Sequence, residues 1–168
     1  MDDVNTAPTD KLRGADKKEA FHREAEARIT PFSYKRPDAD IEGRKGVFFL
    51  AESDILHASI QIIPEGGDNR MHYHPGGDGF WMSLKGRVKF YGPDGLIGEY
   101  GPHEGIFMPR NARYWFETAN PEDELHLLHV QADILPKVKN GHVGLEPKDP
   151  NKPETLRFNY PKGVRHGG

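Results

Sequence analysis

The feature that most constrains the fold is a series of short β-rich runs over residues 47–132, each separated from the next by turn residues. The first run is VFFLAE and the last is LHLLHVQA, and breaks such as PEGGD, HPGG, GPDG and ANPED are rich in glycine, proline, asparagine and aspartate. These residues favour turns, and short strands at this spacing are typical of an all-β sandwich or barrel. The sequence therefore predicts an antiparallel β-barrel over residues 47–132.

The two ends of the chain differ from this central part. Residues 16–28 (DKKEAFHREAEAR) predict a short charged helix that ends before Pro31, because the residue preceding a proline avoids helical geometry. After Pro136 the strand pattern is lost, and residues 146–168, which are rich in proline and lysine, predict an extended tail. We therefore divide the chain into an N-terminal extension with a short helix (1–46), a barrel (47–132) and a C-terminal extension (133–168).

Composition excludes several classes of function. A chain of 168 residues fits one domain with extensions, and a formal net charge of −3 argues against a nucleic-acid partner or a polybasic membrane surface. There is no apolar run long enough to span a bilayer and no apolar signal region at the N-terminus. The chain has no cysteine, which excludes disulfides, thiolate catalysis and zinc–thiolate sites. We expect a cytoplasmic protein that binds neither nucleic acid nor membrane.

His72 and His74 lie one residue apart, between a glycine-rich turn and the strand-like run GFWMSL. Side chains at positions i and i+2 of a strand point to the same face. Two neutral imidazoles on one face can bind one metal ion. The spacing therefore predicts that both rings point together into the barrel.

This part of the chain resembles the cupin superfamily, whose first motif is glycine, five residues, His-x-His, four residues, glutamate, six residues and glycine. Four positions fall in frame here: Gly66, His72, His74 and Gly86. The second motif is proline, one residue, glycine, two residues, histidine, three residues and asparagine, and Pro109 occupies its first position. The resemblance covers roughly residues 47–132 and implies a double-stranded β-helix, the cupin jelly-roll barrel.

The chain departs from both motifs. Gly79 occupies the glutamate position, and Asp78 lies one residue out of phase, an offset that turns a strand side chain to the opposite face. Three positions of the second motif also differ, where the glycine, the histidine and the asparagine are replaced by Asn111, Tyr114 and Thr118. The metal ligands that the resemblance implies are thus present only at His72 and His74.

Three kinds of side chain are candidates to complete the site. Asp78 can bend inward in the glycine-rich HPGGDG segment and give two histidines and one carboxylate, the ligand set of non-haem iron oxygenases, and we prefer it. His126 and His129 are the alternatives, and because they are three residues apart at most one faces inward. Tyr114 is a poor metal ligand until it loses its proton, with an ordinary pKa of about 10. We therefore assign Tyr114 a catalytic role, as an acid, a base or an anchor in the pocket.

Four further residues are candidates for substrate binding. Trp81 shares the face of the vacated glutamate position, and Phe116 shares the face of Tyr114. Arg70 and Arg113 flank the two motifs and are placed to hold a substrate carboxylate. Each assignment has an alternative, since large aromatics also fill the cores of small barrels and arginines are common at solvated rims.

Met82 and Leu84 are predicted to face outward, where apolar side chains favour a covering partner, so we expect a homodimer. His57 precedes the motif on a strand of its own and can face the pocket. His103 is left open as well, and the remaining histidines are assigned no part in the site: His22, His142 and His166.

The resemblance implies a small-molecule-binding cupin, and the function that we favour is a metal-dependent enzyme, in particular an iron dioxygenase, acting on a small organic substrate. Zinc, manganese or nickel are alternatives to iron. Two other functions stay open: a lyase, isomerase or epimerase acting on a sugar or small acid, and a non-catalytic sensory protein. A fold alone does not decide between them, because one barrel supports many activities.

Overall fold

The structure, a computed structural model, describes residues 14–41, 45–64, 69–120, 122–134, 141–147, 150–152 and 155–159. The chain divides into two compact units, residues 1–31 and residues 32–168. No helix within the described ranges combines the length and the apolar character needed to cross a bilayer.

The first unit contains the predicted charged helix, α1 (Gly14–Glu26). An ion pair one turn apart supports it, with Arg23 Nε 2.7 Å from Glu19 Oε1. The helix ends two residues earlier than predicted, because the amide of Arg28 donates to the carbonyl of Ala25 and tightens the last turn.

The described part of the second unit contains eleven strands, and all nine predicted runs form strands. The strands are β1 (Gly46–Glu52), β2 (Leu56–Ile63), β3 (His72–Tyr73), β4 (Gly77–Lys85), β5 (Val88–Gly92), β6 (Gly95–Tyr100), β7 (Gly105–Met108), β8 (Trp115–Thr118), β9 (Leu125–Asp133), β10 (Val143–Gly144) and β11 (Leu156–Asn159).

The strands form three sheets, with the orders β11-β1-β2-β9-β4-β7, β6-β5-β8 and β10-β3. All pairings are antiparallel except that of β1 with β11. An isolated bridge between His72 and Tyr114 connects the segment that contains the first motif to the segment that contains the second. The all-β architecture predicted from the turn spacing is confirmed.

The C-terminal extension is more ordered than the predicted tail. Strand β10 pairs with β3, and strand β11 adds to the edge of the six-stranded sheet in parallel with β1. Leu156 and Phe158 on β11 pack against the apolar outer face of that sheet. In the short segment LRFN, apolar and polar residues alternate, which is the sequence signal for this strand. The signal was missed because the neighbouring residues are rich in proline and lysine.

Alternation along β9 separates two apolar clusters. Leu125 and Leu127 face the barrel interior, whereas Leu128 and Val130 face the outside of the sheet. The interior cluster is formed by Ile63, Trp81, Val88, Phe90, Met108, Tyr114, Phe116, Leu125 and Leu127. The outer cluster is covered in part by the chain itself, through Tyr34 and Ile41 of the segment that precedes β1.

This covering bears on the predicted homodimer. Leu84 is half-buried and packs against the outer cluster, so the chain already shields part of the face that was expected to need a partner. Phe80 and Phe107, which are cross-strand neighbours on β4 and β7, remain 41 % and 63 % exposed. The homodimer stays a prediction.

Polar side chains occupy one end of the barrel interior. On β9 the inward positions after Leu127 are His129, Gln131 and Asp133. The neighbouring strand β2 places Ser59 opposite His129 and His57 opposite Gln131. This polar end of the interior contains the candidate site.

The backbone conformation at two turn positions explains why one motif glycine is kept and another is replaced by asparagine. Gly86, the last glycine of the first motif, has φ of +78°, a backbone conformation that favours glycine. Asn111, at the glycine position of the second motif, has φ of +68°. Asparagine tolerates the left-handed conformation better than most residues, so the substitution preserves the turn. Gly66 lies outside the described residues.

Candidate metal centre

Three histidines form a compact cluster at the polar end of the barrel. His72, His74 and His142 each contribute one ring nitrogen to a group of three atoms that lie within 4.8 Å of one another. His72 is on β3 and His74 directly follows it, which brings both rings together as their spacing predicts. His142 directly precedes β10, whose pairing with β3 places its ring in a stack with His72 at a centroid distance of 4.5 Å.

Backbone carbonyls orient two of these rings. His72 Nδ1 lies 2.8 Å from the carbonyl oxygen of Arg70, and His74 Nδ1 lies 2.9 Å from that of Gly141. A carbonyl can only accept a hydrogen bond, so each Nδ1 carries the proton and each Nε2 has a free lone pair. This is the arrangement in which a backbone group orients a metal-binding imidazole.

The electrostatic environment keeps these rings neutral. Burial lowers the pKa of His72 to about 3 and the pKa of His74 to about 4, and the neighbouring His142 lowers both further. At pH 7 both imidazoles are therefore uncharged, which is the form that binds a metal ion. Burial likewise lowers the pKa of His129 well below its ordinary value.

Gly79, at the position of the cupin glutamate, faces the interior but has no room for a side chain. A Cβ atom there would lie 2.9 Å from the carbonyl oxygen of Val130 and 3.2 Å from His129 Nε2. His129 is buried and stacks on the indole of Trp81, with ring centroids 3.9 Å apart and planes 9° apart. The imidazole of His129 thus fills the space next to the vacated position.

The structure corrects the preference for Asp78 as a metal ligand. The Asp78 side chain is exposed, and its Oδ1 accepts a hydrogen bond of 2.8 Å from the amide of Arg110. Strand β4 pairs with β7 on one side and β9 on the other, so its alternation is fixed despite the glycines. Asp78 therefore faces away from the two motif histidines.

Of the two alternatives on β9, one faces the site and the other does not. His129 lies on the inner face, with its ring centroid 5.8 Å from that of His74. His126 lies on the outer face, where its ring nitrogens contact Tyr34 Oη at 3.0 Å and Glu124 Oε1 at 2.6 Å. The expectation that at most one of them faces inward holds.

Tyr114 is 1 % exposed, and its hydroxyl oxygen accepts a hydrogen bond of 3.0 Å from Trp81 Nε1. Burial raises its pKa above the ordinary value of 10.0, so the phenol stays protonated at neutral pH. A phenol that keeps its proton at pH 7 can act as an acid or as a hydrogen-bond donor, and the catalytic role of Tyr114 stays a prediction. With His74 and His129 it lines a cavity of about 10 Å³, which is about the size of one water molecule.

The predicted substrate-binding residues lie behind or beside the cluster. Trp81 and Phe116 are 2 % and 0 % exposed and belong to the interior core, in which Trp81 contacts Tyr114 and His129. Arg70 is half-buried, and its Nη1 atom has no hydrogen-bond partner among the residues that the structure describes. The structure thus favours a core role for the two aromatics, and substrate binding by Arg70 stays a prediction.

A larger cavity of about 330 Å³ opens beside the cluster. Its lining residues are His57, His74, Gly76, Gln131, Asp133, Gly141 and His142. Sequence reasoning missed Gln131 and Asp133, although they continue the inward alternation that begins at Leu127. It also dismissed His142, for which the local sequence carries no signal because only the β10–β3 pairing places it here.

Comparison with known proteins supports the fold. No family model matches the sequence, and no curated protein matches it. A conserved protein with a double-stranded β-helix domain from Klebsiella pneumoniae is 16 % identical, covers 71 % of this chain and 99 % of its own, and superimposes with a TM-score of 0.55.

Two further solved structures are similar. An RmlC-like cupin family protein from Methanocaldococcus jannaschii is 21 % identical over 63 % of this chain and 92 % of its own, with a TM-score of 0.52. KdgF from a Halomonas species is 16 % identical over 63 % of this chain and 96 % of its own, with a TM-score of 0.53. At these identities the likeness concerns the fold alone.

Proposed function

We propose that this chain, which has the double-stranded β-helix fold of the cupin superfamily, is a metal-dependent enzyme acting on a small polar molecule. The observation that carries the proposal is the convergence of His72, His74 and His142, with one ring nitrogen of each within 4.8 Å of the others. These rings lie beside a cavity of about 330 Å³, at the lower end of the range of small-molecule sites.

The donor set fits a transition-metal ion. Imidazole suits zinc, iron, nickel and copper, whereas manganese prefers oxygen ligands and is the least supported of the predicted metals. Three protein ligands leave a coordination position for substrate or water. A divalent ion held there would act as a Lewis acid on a bound oxygen atom.

The residues around the cluster complete a binding site. Gln131, which is buried, and Asp133 present polar groups to the cavity. The protonated hydroxyl of Tyr114 can donate to a bound oxygen atom close to His74. Trp81 and His129, which lie next to these groups, form a stacked pair of buried rings.

The donor set also bears on the reaction. The predicted iron dioxygenase needs His72, His74 and a third ligand, and His142 rather than Asp78 lies in the cluster. A divalent ion held by three neutral imidazoles can act as a Lewis acid, which is the chemistry that a lyase, isomerase or epimerase acting on a sugar or small acid would use. Iron-dependent dioxygenation and non-catalytic binding stay predictions.

Metal content tests the proposal. After incubation with zinc, iron(II) or nickel and dialysis, we expect the wild type to retain about one equivalent of at least one metal by elemental analysis. His72→Ala, His74→Ala and His142→Ala should each lose it. His22→Ala, which changes an exposed histidine on α1, is the control and should retain it.

Two outcomes would refute the proposal. One is a wild type that retains none of the three metals. The other is full retention in the triple variant that lacks His72, His74 and His142. Oxygen consumption by the iron-loaded protein with a bound organic substrate would instead support the dioxygenase.

A further inference from the structure

The 330 Å³ cavity that His74 and His142 line is also lined by a second polar group, formed by His57, Gln131 and Asp133. Gln131 is 4 % exposed, and its Nε2 donates a hydrogen bond of 2.7 Å to Asp133 Oδ1. The other carboxylate oxygen, Asp133 Oδ2, faces His57 Nδ1 at 3.7 Å.

The backbone holds this group in place. His57 on β2 lies opposite Gln131 on β9, and the amide of Asp133 donates to the carbonyl of Ile55 at 2.7 Å. The carboxylate therefore faces one ring nitrogen of His57. The separation of 3.7 Å is longer than a hydrogen bond, as is common before a ligand is bound.

We propose that His57 transfers a proton to and from the ligand in this cavity, with Asp133, held by Gln131, as its positioning residue. A carboxylate beside Nδ1 selects the tautomer in which Nδ1 carries the proton and Nε2 is the base. No hydrogen bond occupies Nε2 among the described residues, so it is available to a ligand.

This inference rests on the proposed function, because it places the ligand in the same cavity. It also narrows the class of molecules that the cavity can bind and convert. A suitable molecule has an oxygen atom for the histidine cluster and an acidic C–H or O–H group on the side of His57, as α-hydroxy carbonyl compounds have. Nε2 takes the proton, the electron pair of the broken bond stays on the ligand, and the proton returns to a neighbouring atom. The ligand undergoes no net oxidation or reduction, so no co-reactant is needed.

The experiment uses 5-nitrobenzisoxazole as a probe of a base in the cavity. A base removes the proton from C3, the C–H electron pair forms a nitrile as the N–O bond breaks, and a coloured nitrophenolate is released. The full-length protein is treated with EDTA, so the outcome does not depend on metal binding. A protein that binds no metal but still converts the probe to the nitrophenolate would contradict the proposed function and support this inference.

We expect His57→Gln to lower kcat/KM for the probe by about 100-fold, the usual contribution of a general base. Asp133→Asn should lower kcat several-fold at unchanged KM, and Asp133→Glu should recover part of the loss. His103→Ala, which changes an exposed loop histidine, is the control and should match the wild type. Thermal melts establish that each variant is folded.

A wild type no faster than folded His57→Gln would overturn the assignment of His57. A rate in Asp133→Asn equal to that of the wild type would overturn the assignment of Asp133. A loss in Asp133→Asn that appears only in KM would also count against positioning, since it would indicate a role in binding.

Discussion

At the scale of single residues, the hydrogen bond between Trp81 and Tyr114 is the polar contact buried most deeply next to the site. Tyr114→Phe would leave the buried indole N–H of Trp81 without its 3.0 Å acceptor. We expect the free energy of unfolding to fall by about 1–3 kcal/mol, measured by urea denaturation. Metal content should stay unchanged, because burial raises the pKa of Tyr114 and a protonated phenol is a poor metal ligand.

Tyr91→Phe is the matched control for this prediction. The Tyr91 hydroxyl donates to Glu117 at 2.6 Å on a half-exposed surface, where water replaces the lost partner. Its removal should cost less than about 0.5 kcal/mol. Metal loss in Tyr114→Phe would show that the phenol is a ligand.

Gly79 gives the second residue-scale prediction. Gly79→Ala brings a Cβ atom within 2.9 Å of the backbone oxygen of Val130, which is part of a paired strand and cannot move away freely. We expect a loss of about 1–3 kcal/mol in the free energy of unfolding. Gly14→Ala is the control, since no atom lies within 4 Å of its added Cβ. A melting temperature equal to that of the wild type would contradict the account of His129 filling this space.

At the scale of elements, the segment before β1 is attached to β9 by a polar network. Arg36 forms two hydrogen bonds of 2.8 Å with Glu124, which also contacts His126 Nε2 at 2.6 Å. The hydrogen bonds from Arg36 lower the pKa of Glu124 from its ordinary value of 4.5 to about 2. A carboxyl group whose pKa is lower in the folded state stabilises the fold above its ordinary pKa and loses that effect as the pH falls towards the folded value.

We therefore predict that Glu124→Gln destabilises the protein by about 1 kcal/mol at pH 7, a modest value because water partly screens the pair. The difference from the wild type should shrink between pH 5 and about pH 2, as followed by urea denaturation at each pH. Glu122→Gln, which changes an exposed neighbour, is the control. A difference in the free energy of unfolding that stays constant over this pH range would show that the lowered pKa of Glu124 does not contribute to stability.

At the scale of the whole molecule, the metal cluster joins segments that are far apart in the sequence. An ion shared by His72, His74 and His142 would attach the C-terminal segment to the barrel. Zinc at 100 times its dissociation constant should stabilise the fold by about 2.7 kcal/mol. We expect a rise in melting temperature that EDTA reverses and that His142→Ala abolishes, while His22→Ala retains it. Equal shifts in both variants would place the ion elsewhere.

The fold was largely predictable because its signals are local. Strands β1 to β9 each correspond to a short apolar or alternating run between turn residues. His72, His74 and Gly86, which are in frame with the first cupin motif, indicate the type of barrel. Strand β11 was missed because it has a single pair of apolar residues, Leu156 and Phe158. Their role becomes clear only when β11 pairs with β1 and they pack against the outer cluster.

The composition of the site was predictable only in part. The sequence by itself determined that His72 and His74 share a face, because a two-residue period follows from strand geometry alone. Tertiary structure decided the rest: the two-sided pairing of β4 turns Asp78 outward, and the pairing of β10 with β3 brings His142 to the cluster. The physical reason is the separation along the sequence of the residues involved. Strand alternation relates residues that are two positions apart, whereas a set of metal ligands depends on which distant segments pair with each other.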